Sequence, residues 1–201
     1  MNRKYAIVCP GPSAEAGFSR WPLCASEYNS LIAVNGAVLY SFKYEWWVVQ
    51  DFEVFEAVYD RSGNWPVMQL SHDKPLLFIP DRWLADIRKY NQAKQTFFDL
   101  YPKMCFPAST QAAFNESMPF GKDINWREYT VFMAIALAIK AGAQQIDLWG
   151  ADMEAGYTQP GMENSKTTHN ARRWKDEAEK LDRIINICQQ HEITLKRIIG
   201  V

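Results

Sequence analysis

The segment AIVCPGPSA, residues 6–14, decides the fold. Residues 6–9 are a compact apolar run bounded at once by turn residues, which is typical of a buried strand rather than a helix. Gly11 allows a close backbone approach to a ligand, Pro12 holds φ rigid, and Ser13 can cap a following helix. Such a loop offers unpaired backbone N–H groups, which favour phosphate or another anion. The loop therefore either binds an anionic ligand or serves only as a tight turn.

Two further predicted strands lead directly into the polar residues Asn35 and Asp51. Asn35 follows the apolar run 31–34, and Asp51 follows the strand-like segment 45–50. Ligands of open α/β sheets bind outside the carboxyl ends of the strands, so both side chains are candidates for one shared site. A turn at the Asn-Gly dipeptide and a helix cap at Asp51 explain the same residues without a ligand.

The second block that carries the fold is WREYTVFMAIALAIKAGAQQIDLWGADM, residues 126–153. Strong helix formers from Tyr129 to Ala141 are apolar almost all round, which predicts a helix buried against a sheet. The strand QIDLW follows, and Asp147 within it is expected at an exposed end or edge. Gly150 and Asp152 come directly after this strand, at the carboxyl end of a βαβ unit, and both are candidates for ligand contact.

The C-terminal segment places two arginines at the start of a helix. Residues 171–190 predict a long helix whose first turn holds Arg172 and Arg173, and residues 193–199 predict the last strand. Positive charge at a helix N-terminus is unfavourable unless it meets an anion, which makes both arginines candidates for binding phosphate. Ion pairs with acidic residues of the same helix are the alternative.

Length and composition predict one domain. The chain has 201 residues, 48% of them hydrophobic, which suffices for one core, and no linker divides it. We therefore predict a single α/β domain over residues 1–201, Rossmann-like, with a mostly parallel sheet and helices on both faces. The irregular stretch 101–125 is a candidate lid over the site, and the polar stretch 154–169 is predicted to be a mobile loop.

Charge and cysteine content argue against several classes of protein. Lys and Arg number 22 and Asp and Glu 23, which gives no electrostatic reason to expect a nucleic-acid partner. The four cysteines are far apart, without a C-x-x-C pair, so neither a disulfide framework nor a metal site is predicted, and the expected location is cytoplasmic. No apolar stretch suits a membrane span or a signal peptide.

Aromatic residues make up 14% of the chain, which suits a bulky core or an interface, so a homo-oligomer is compatible with the sequence.

Read together, these features resemble the Rossmann-type domain of the bacterial sialyltransferases of glycosyltransferase family forty-two. They also resemble the related 6-hydroxymethylpterin diphosphokinase-like domains, and small stand-alone proteins of similar pattern occur in phages. The resemblance is carried by Gly11, Pro12 and Ser13 after the first strand, by Asn35 after the second, and by the long helix leading into IDLWGADM. It implies a nucleotide-binding transferase whose ligand is a small nucleotide or nucleotide-sugar.

The resemblance also implies roles for individual residues. In those transferases the Gly-Pro-Ser loop and the Asn after strand two hold the cytidine nucleotide of a CMP-sugar, which assigns Gly11, Pro12, Ser13 and Asn35 to the donor. Asp51 falls where the family has a polar residue near the donor sugar, which makes it a candidate catalytic residue.

A Thr-Ser-Gly begins the long helix of those transferases and contacts phosphate and ribose. Tyr129, Thr130 and Val131 take its place here, and of these only Thr130 keeps an aliphatic hydroxyl. His169 falls near the place of the family's general base. The implied mechanism is direct displacement, in which His169 takes the acceptor's proton while loop N–H groups, Thr130 and one of the arginines stabilise the departing phosphate. It requires neither a metal nor a cofactor.

Two other functions stay open. A diphosphate transfer from ATP to a small hydroxyl compound would need Mg²⁺, for which Asp51 and Asp152 would be the contacts. A non-catalytic protein would sequester a nucleotide or block a host partner without turnover. A requirement for Mg²⁺ identifies the first function, and recovery of unchanged ligand identifies the second.

Overall fold

The computed structural model describes residues 3–11, 13–14, 25–40, 43–62, 75–90, 92–106, 115–120, 124–153 and 171–198. The strands within these ranges are β1 (Lys4–Val8), β2 (Ser30–Val34), β3 (Trp46–Val48), β4 (Leu76–Pro80), β5 (Lys103–Phe106), β6 (Gln145–Trp149) and β7 (Thr194–Ile198). The α-helices are α1 (Phe52–Ser62), α2 (Trp83–Asp86), α3 (Gln92–Asp99), α4 (Thr130–Lys140) and α5 (Ala171–Gln190). Short 3-10 turns cover Ala25–Glu27, Asn35–Leu39 and Ile87–Lys89.

The strands form one seven-stranded sheet in the order β5-β4-β3-β2-β1-β6-β7. Every neighbouring pair is parallel. The chain proceeds from β1 outward to β5 and then crosses to β6 on the other side of β1, so connections leave β1 and β6 in opposite directions. Open α/β sheets bind ligands outside the carboxyl ends of the strands at such a switch point. The predicted α/β, Rossmann-like fold is confirmed.

Helices cover both faces of the sheet, because alternate residues of each buried strand point to opposite sides. Tyr5 and Ile7 of β1 pack in one core cluster with α4 and α5. Ala6 and Val8 pack in a second cluster with α1, α2 and α3. Helix α4 is buried on most of its surface, as its apolar sequence predicts. No described helix has both the length and the apolar character needed to cross a membrane.

The structure corrects the sequence prediction at one edge of the sheet. Residues 103–106 form the edge strand β5, although the stretch from residue 101 onward is predicted to be irregular. Its residues KMCF lack the alternation of apolar and polar side chains that identifies a half-buried strand, and Met104 is 50% exposed. The predicted loop 154–169 lies outside the described residues, as do residues 107–114 and 121–123 of the predicted lid.

Asp147 is buried, with 4% of its surface exposed, so the prediction of an exposed end or edge is wrong. The physical reason is that β6 lies between β1 and β7. The Tyr28 hydroxyl donates a hydrogen bond of 2.8 Å to the Asp147 carboxylate, and Lys4 Nζ lies 3.3 Å from it. A buried carboxylate is tolerated when such partners satisfy it.

Candidate functional site

A cavity of about 150 Å³ lies at the carboxyl edge of the sheet. Its wall is formed by residues at or after the carboxyl ends of β1, β2, β3 and β6, by the first turn of α1, by the segment that leads into α4 with its first turn, and by the first two turns of α5. The structure brings together in this wall seven of the residues predicted from sequence, which are Gly11, Asn35, Asp51, Thr130, Gly150, Asp152 and Arg173.

The remaining predicted residues are not placed in the wall. Pro12 and His169 lie outside the described residues, and of Arg172 only the backbone is described. Ser13 lies beside the cavity in helical backbone, so it does not precede its helix as a cap. Its N–H donates a 2.7 Å hydrogen bond to Asp152 Oδ2. The carboxylate of Asp152 therefore caps this helix instead of the predicted serine.

The loop after β1 commits its N–H groups to acceptors within the protein. Four of its residues donate backbone hydrogen bonds: Cys9 to Trp149 O at 2.7 Å, Gly11 to Gly150 O at 3.0 Å, Ser13 to Asp152 Oδ2 at 2.7 Å and Ala14 to Gly11 O at 3.0 Å. The prolines at positions 10 and 12 have no N–H to give. The described residues of this loop therefore have every backbone N–H paired within the protein, contrary to the expectation of unpaired N–H groups for phosphate, and the Asp152 carboxylate accepts the bond from the Ser13 N–H.

The glycines of the two central loops are required by contact between the loops. A Cβ on Gly11 would overlap the Gly150 carbonyl oxygen and the Asp152 carboxylate. Gly150 has φ +69°, and a Cβ there would overlap the Cys9 carbonyl oxygen. From sequence, Gly11 is expected to allow close approach of a ligand. In the structure, the loop after β6 lies close to Gly11 instead.

Asn35 presents an unpaired acceptor at the end of β2. Its φ is +52°, in the left-handed region that asparagine tolerates better than most residues. Its backbone carbonyl accepts a 2.9 Å hydrogen bond from Trp47 Nε1. Its Oδ1 atom is buried and has no hydrogen-bond partner among the described residues. A buried acceptor without a donor costs free energy, and a ligand with an N–H or O–H group would recover it.

The start of α4 supplies another part of the wall. Thr130 begins the helix and is 7% exposed, and Tyr129 before it has extended backbone. The first N–H groups of a helix have no partner within the helix and favour anions. Since Thr130 and Val131 both line the cavity, α4 rather than the β1 loop provides donors suited to a phosphate.

Charges of both signs line the cavity. The acidic residues are Asp51, Glu128, Asp152 and Glu177, and the basic residues are Arg127 and Arg173. Burial raises the pKa of Asp51, while Arg173 and Arg82 act to lower it. Burial also raises the pKa of Glu177 to about 7, against an opposing effect of Arg173. Arg173 therefore lies within electrostatic range of both carboxyl groups.

From sequence, Glu177 is a candidate only for an ion pair with the arginines of its own helix and has no predicted role in the site. The available signal was its position four residues after Arg173, on the same face of α5. Among the described residues, no group of three or more His, Cys, Asp or Glu is arranged to hold a metal ion. Asp51 and Asp152, the candidate Mg²⁺ contacts, nevertheless line the same cavity.

The fold is similar to part of a solved glycosyltransferase. The MAf glycosyltransferase from Magnetospirillum magneticum AMB-1 matches with a TM-score of 0.61 and 12% sequence identity, over 100% of this chain and 32% of that chain. The chain thus spans about a third of the length of the protein it matches, and the similarity concerns the fold. No protein-family model and no curated protein sequence matches the chain.

Proposed function

We propose that the protein is a nucleotide-binding transferase, and specifically a glycosyltransferase with a nucleotide-sugar donor of the CMP-sugar type. The observation that carries this proposal is the cavity itself, in which Asn35, Thr130 and Asp152 from three separate chain segments line one wall. Polar groups that converge in a well-formed cavity are the usual mark of a ligand site. Similarity in fold to a glycosyltransferase is consistent with it.

Each part of a nucleotide-sugar has a suitable partner in the wall. The buried Asn35 Oδ1 suits an amino group, such as the one on cytosine. The start of α4 and the Arg173 guanidinium suit the phosphate. The carboxylates of Asp51 and Asp152 suit hydroxyl groups of ribose or of the transferred sugar, because ionised carboxylates only accept hydrogen bonds.

The reaction would be a direct displacement at the anomeric carbon. The acceptor oxygen attacks this carbon while the bond to the phosphate oxygen breaks, and the nucleotide leaves with the electron pair. Positive charge near the phosphate stabilises it as it departs. The sequence resemblance implies that His169 takes the acceptor's proton. A His169→Ala variant tests that role through the rate at which CMP is released from a CMP-sugar donor.

Thermal unfolding with CMP, UMP, AMP and GMP tests the binding proposal. At roughly one hundred times its dissociation constant, CMP should raise Tm by about 5–10 °C. An Asn35→Gly variant removes the amide without strain at positive φ and should weaken binding about fivefold, the equivalent of one hydrogen bond. Gln189→Ala, on the exposed surface of α5, is the matched control and should bind normally. An unchanged Tm with all four nucleotides would contradict the proposal.

The presence of Asp51 and Asp152 in the same cavity favours one second candidate, an ATP- and Mg²⁺-dependent diphosphotransferase. That enzyme would bind ATP only together with Mg²⁺, whereas the glycosyltransferase would bind CMP in the presence of EDTA. Nucleotide that binds and is recovered unchanged in the presence of acceptors and Mg²⁺ would instead identify a protein that only binds.

A further inference from the structure

Glu177 is a buried carboxyl group in the wall of the cavity. The residue is 7% exposed and lies in the second turn of α5. No hydrogen bond or ion pair joins its carboxyl group to another of the described residues. Removing an unpaired carboxylate from water is unfavourable, and folds keep such groups mainly where they serve a site.

The other buried acid of the described residues shows what a structural carboxylate looks like. Asp147 is 4% exposed and is held by the Tyr28 hydroxyl at 2.8 Å, by Gln145 Nε2 at 3.2 Å and by Lys4 Nζ at 3.3 Å. These contacts join β6 to Lys4 of β1 and to Tyr28 before β2, and they account for the buried charge. Among the described residues Glu177 has no equivalent set of partners, and it differs from Asp147 in lining the cavity.

Groups from several elements surround Glu177. Arg173 and Asp176 belong to its own helix, and Asp176 is engaged by the Tyr129 hydroxyl at 2.8 Å and by Lys180 Nζ at 2.7 Å. Burial raises the pKa of the Cys9 thiol, and the nearby charge of Glu177 raises it further, so this thiol stays protonated. The other titratable or charged groups of the cavity wall are Asp51, Arg127, Glu128, Tyr129 and Asp152.

We propose that Glu177, in place of His169, is the catalytic base that takes the proton of the acceptor hydroxyl. This inference rests on the proposed function. As the acceptor oxygen bonds to the anomeric carbon, the bond from that carbon to the phosphate oxygen breaks and its electron pair leaves on the nucleotide. The hydroxyl proton passes to the carboxylate of Glu177, and Arg173, one helical turn away, balances the charge of the departing phosphate.

The acid–base properties of the site fit this role. Because burial raises the pKa of Glu177 to about 7, the carboxyl group exchanges protons near neutral pH, where a general base is most effective. Only the ionised form can accept a proton. The rate of transfer should therefore rise as pH increases through about 7 and then level off.

The test compares Glu177→Gln with Glu179→Gln, an exposed residue on the same helix that lies 3.8 Å from Lys175 Nζ. The probe is CMP-N-acetylneuraminic acid with water as acceptor, and the readout is release of CMP. Glu177→Gln should lose at least roughly a hundredfold in rate while it keeps its affinity for CMP within about threefold. It should also lose the rise in rate near neutral pH. Glu179→Gln should match the unaltered protein.

A second variant separates catalysis from a merely structural role. Glu177→Ala leaves a space in which formate can act as the missing carboxylate, so added formate should restore part of the rate. Unaltered turnover in Glu177→Gln would overturn the inference. Lost turnover in His169→Ala would then identify His169 as the base and leave the proposed function standing. The inference is also overturned if the unaltered protein binds CMP but cleaves CMP-N-acetylneuraminic acid no faster than buffer alone does. Failure to bind CMP at all would remove both proposals.

Discussion

Gly11 and Gly150 bring the loops after β1 and β6 into direct contact. Substituting Gly11→Ala would force a methyl group against the Gly150 carbonyl oxygen and the Asp152 carboxylate. We expect the variant to lose about 1–3 kcal/mol of unfolding free energy, the usual cost of overpacking at a well-packed position. Urea unfolding measures this loss as a lower midpoint at an unchanged m-value. A midpoint equal to that of the unaltered protein would mean that the loops separate freely.

Glu177 makes stability depend on pH. Its folded pKa of about 7 lies above the ordinary value of 4.5, so the folded state binds more protons than the unfolded state between these values. Stability therefore falls as pH rises from about 4.5 to about 7. Glu177→Gln should be more stable than the unaltered protein by up to about 3 kcal/mol at pH 8 and nearly equal to it near pH 4. Urea unfolding at both pH values measures the difference.

Glu179→Gln is the control for this comparison, because its carboxylate lies at the exposed surface. Equal stabilisation of Glu177→Gln at both pH values would show that better packing, rather than removal of a buried charge, explains the gain.

The sequence predicts the cavity residues that follow strands, and Thr130 and Arg173 at the starts of helices, but it does not assign Glu177 to the site. Asn35, Asp51 and Asp152 each come directly after an apolar run, and parallel strands bring their carboxyl ends to one edge. Glu177 lies in a charged helical stretch, and its position four residues after Arg173 places it on the same helix face as that arginine without showing that its side chain is buried. The bond from the Ser13 N–H to Asp152 joins residues 139 positions apart, which no local pattern encodes.

At the scale of elements, Asp152 connects the loop after β6 to the helical turn after β1. Arg197 of β7 holds this loop in turn, through Nε to Ala151 O at 3.1 Å and Nη2 to Asp152 O at 2.6 Å. Asp152→Ala should cost about 1–2 kcal/mol, as expected for loss of a helix cap. It should also free the Ser13 N–H for an anion. We expect inorganic phosphate to raise the Tm of this variant more than that of the unaltered protein.

Asp152→Asn is the matched control, because its amide oxygen still accepts from the Ser13 N–H. It should show no additional response to phosphate. An equal phosphate response in all three proteins would contradict the view that the carboxylate occupies an anion position.

The elements differ in how well their sequences specify them. Helix α4 and strand β6 are found within one residue of their predicted bounds, because long apolar runs ending at glycine leave few alternatives. The sequence does not predict strand β5, because its four residues KMCF do not alternate between apolar and polar side chains. Pairing with β4 defines this segment as a strand.

At the scale of the whole molecule, the sheet is most protected at its centre. β1 is paired on both sides, and Ile7 and Val8 are completely buried. Among the described strands, β5 is at the edge and pairs only with β4. Amide hydrogen exchange should be slowest in β1 and faster in β5 by at least roughly tenfold, because edge strands open at lower free energy. Equal protection in both strands would indicate that another surface covers the edge.

Sequence predicted a parallel sheet with helices on both faces, but not its strand order. Helix–strand alternation around β6 specifies parallel pairing, since parallel strands require a crossover connection. Pairing of β6 with β1, rather than with an edge strand, depends on contacts such as that between Gly11 and Gly150. Such contacts between distant residues are visible only once the chain is folded.

The crossover from β5 to β6 has a consequence for synthesis. β6 can pair with β1 only after residue 149 has been made, and α5 contributes Arg173 and Glu177 later still. A nascent chain on the ribosome would thus carry β1 to β5 with one side of β1 uncovered and no complete cavity. Ligand could not assist the early steps of folding, and chaperones would meet a polypeptide whose central strand is still exposed.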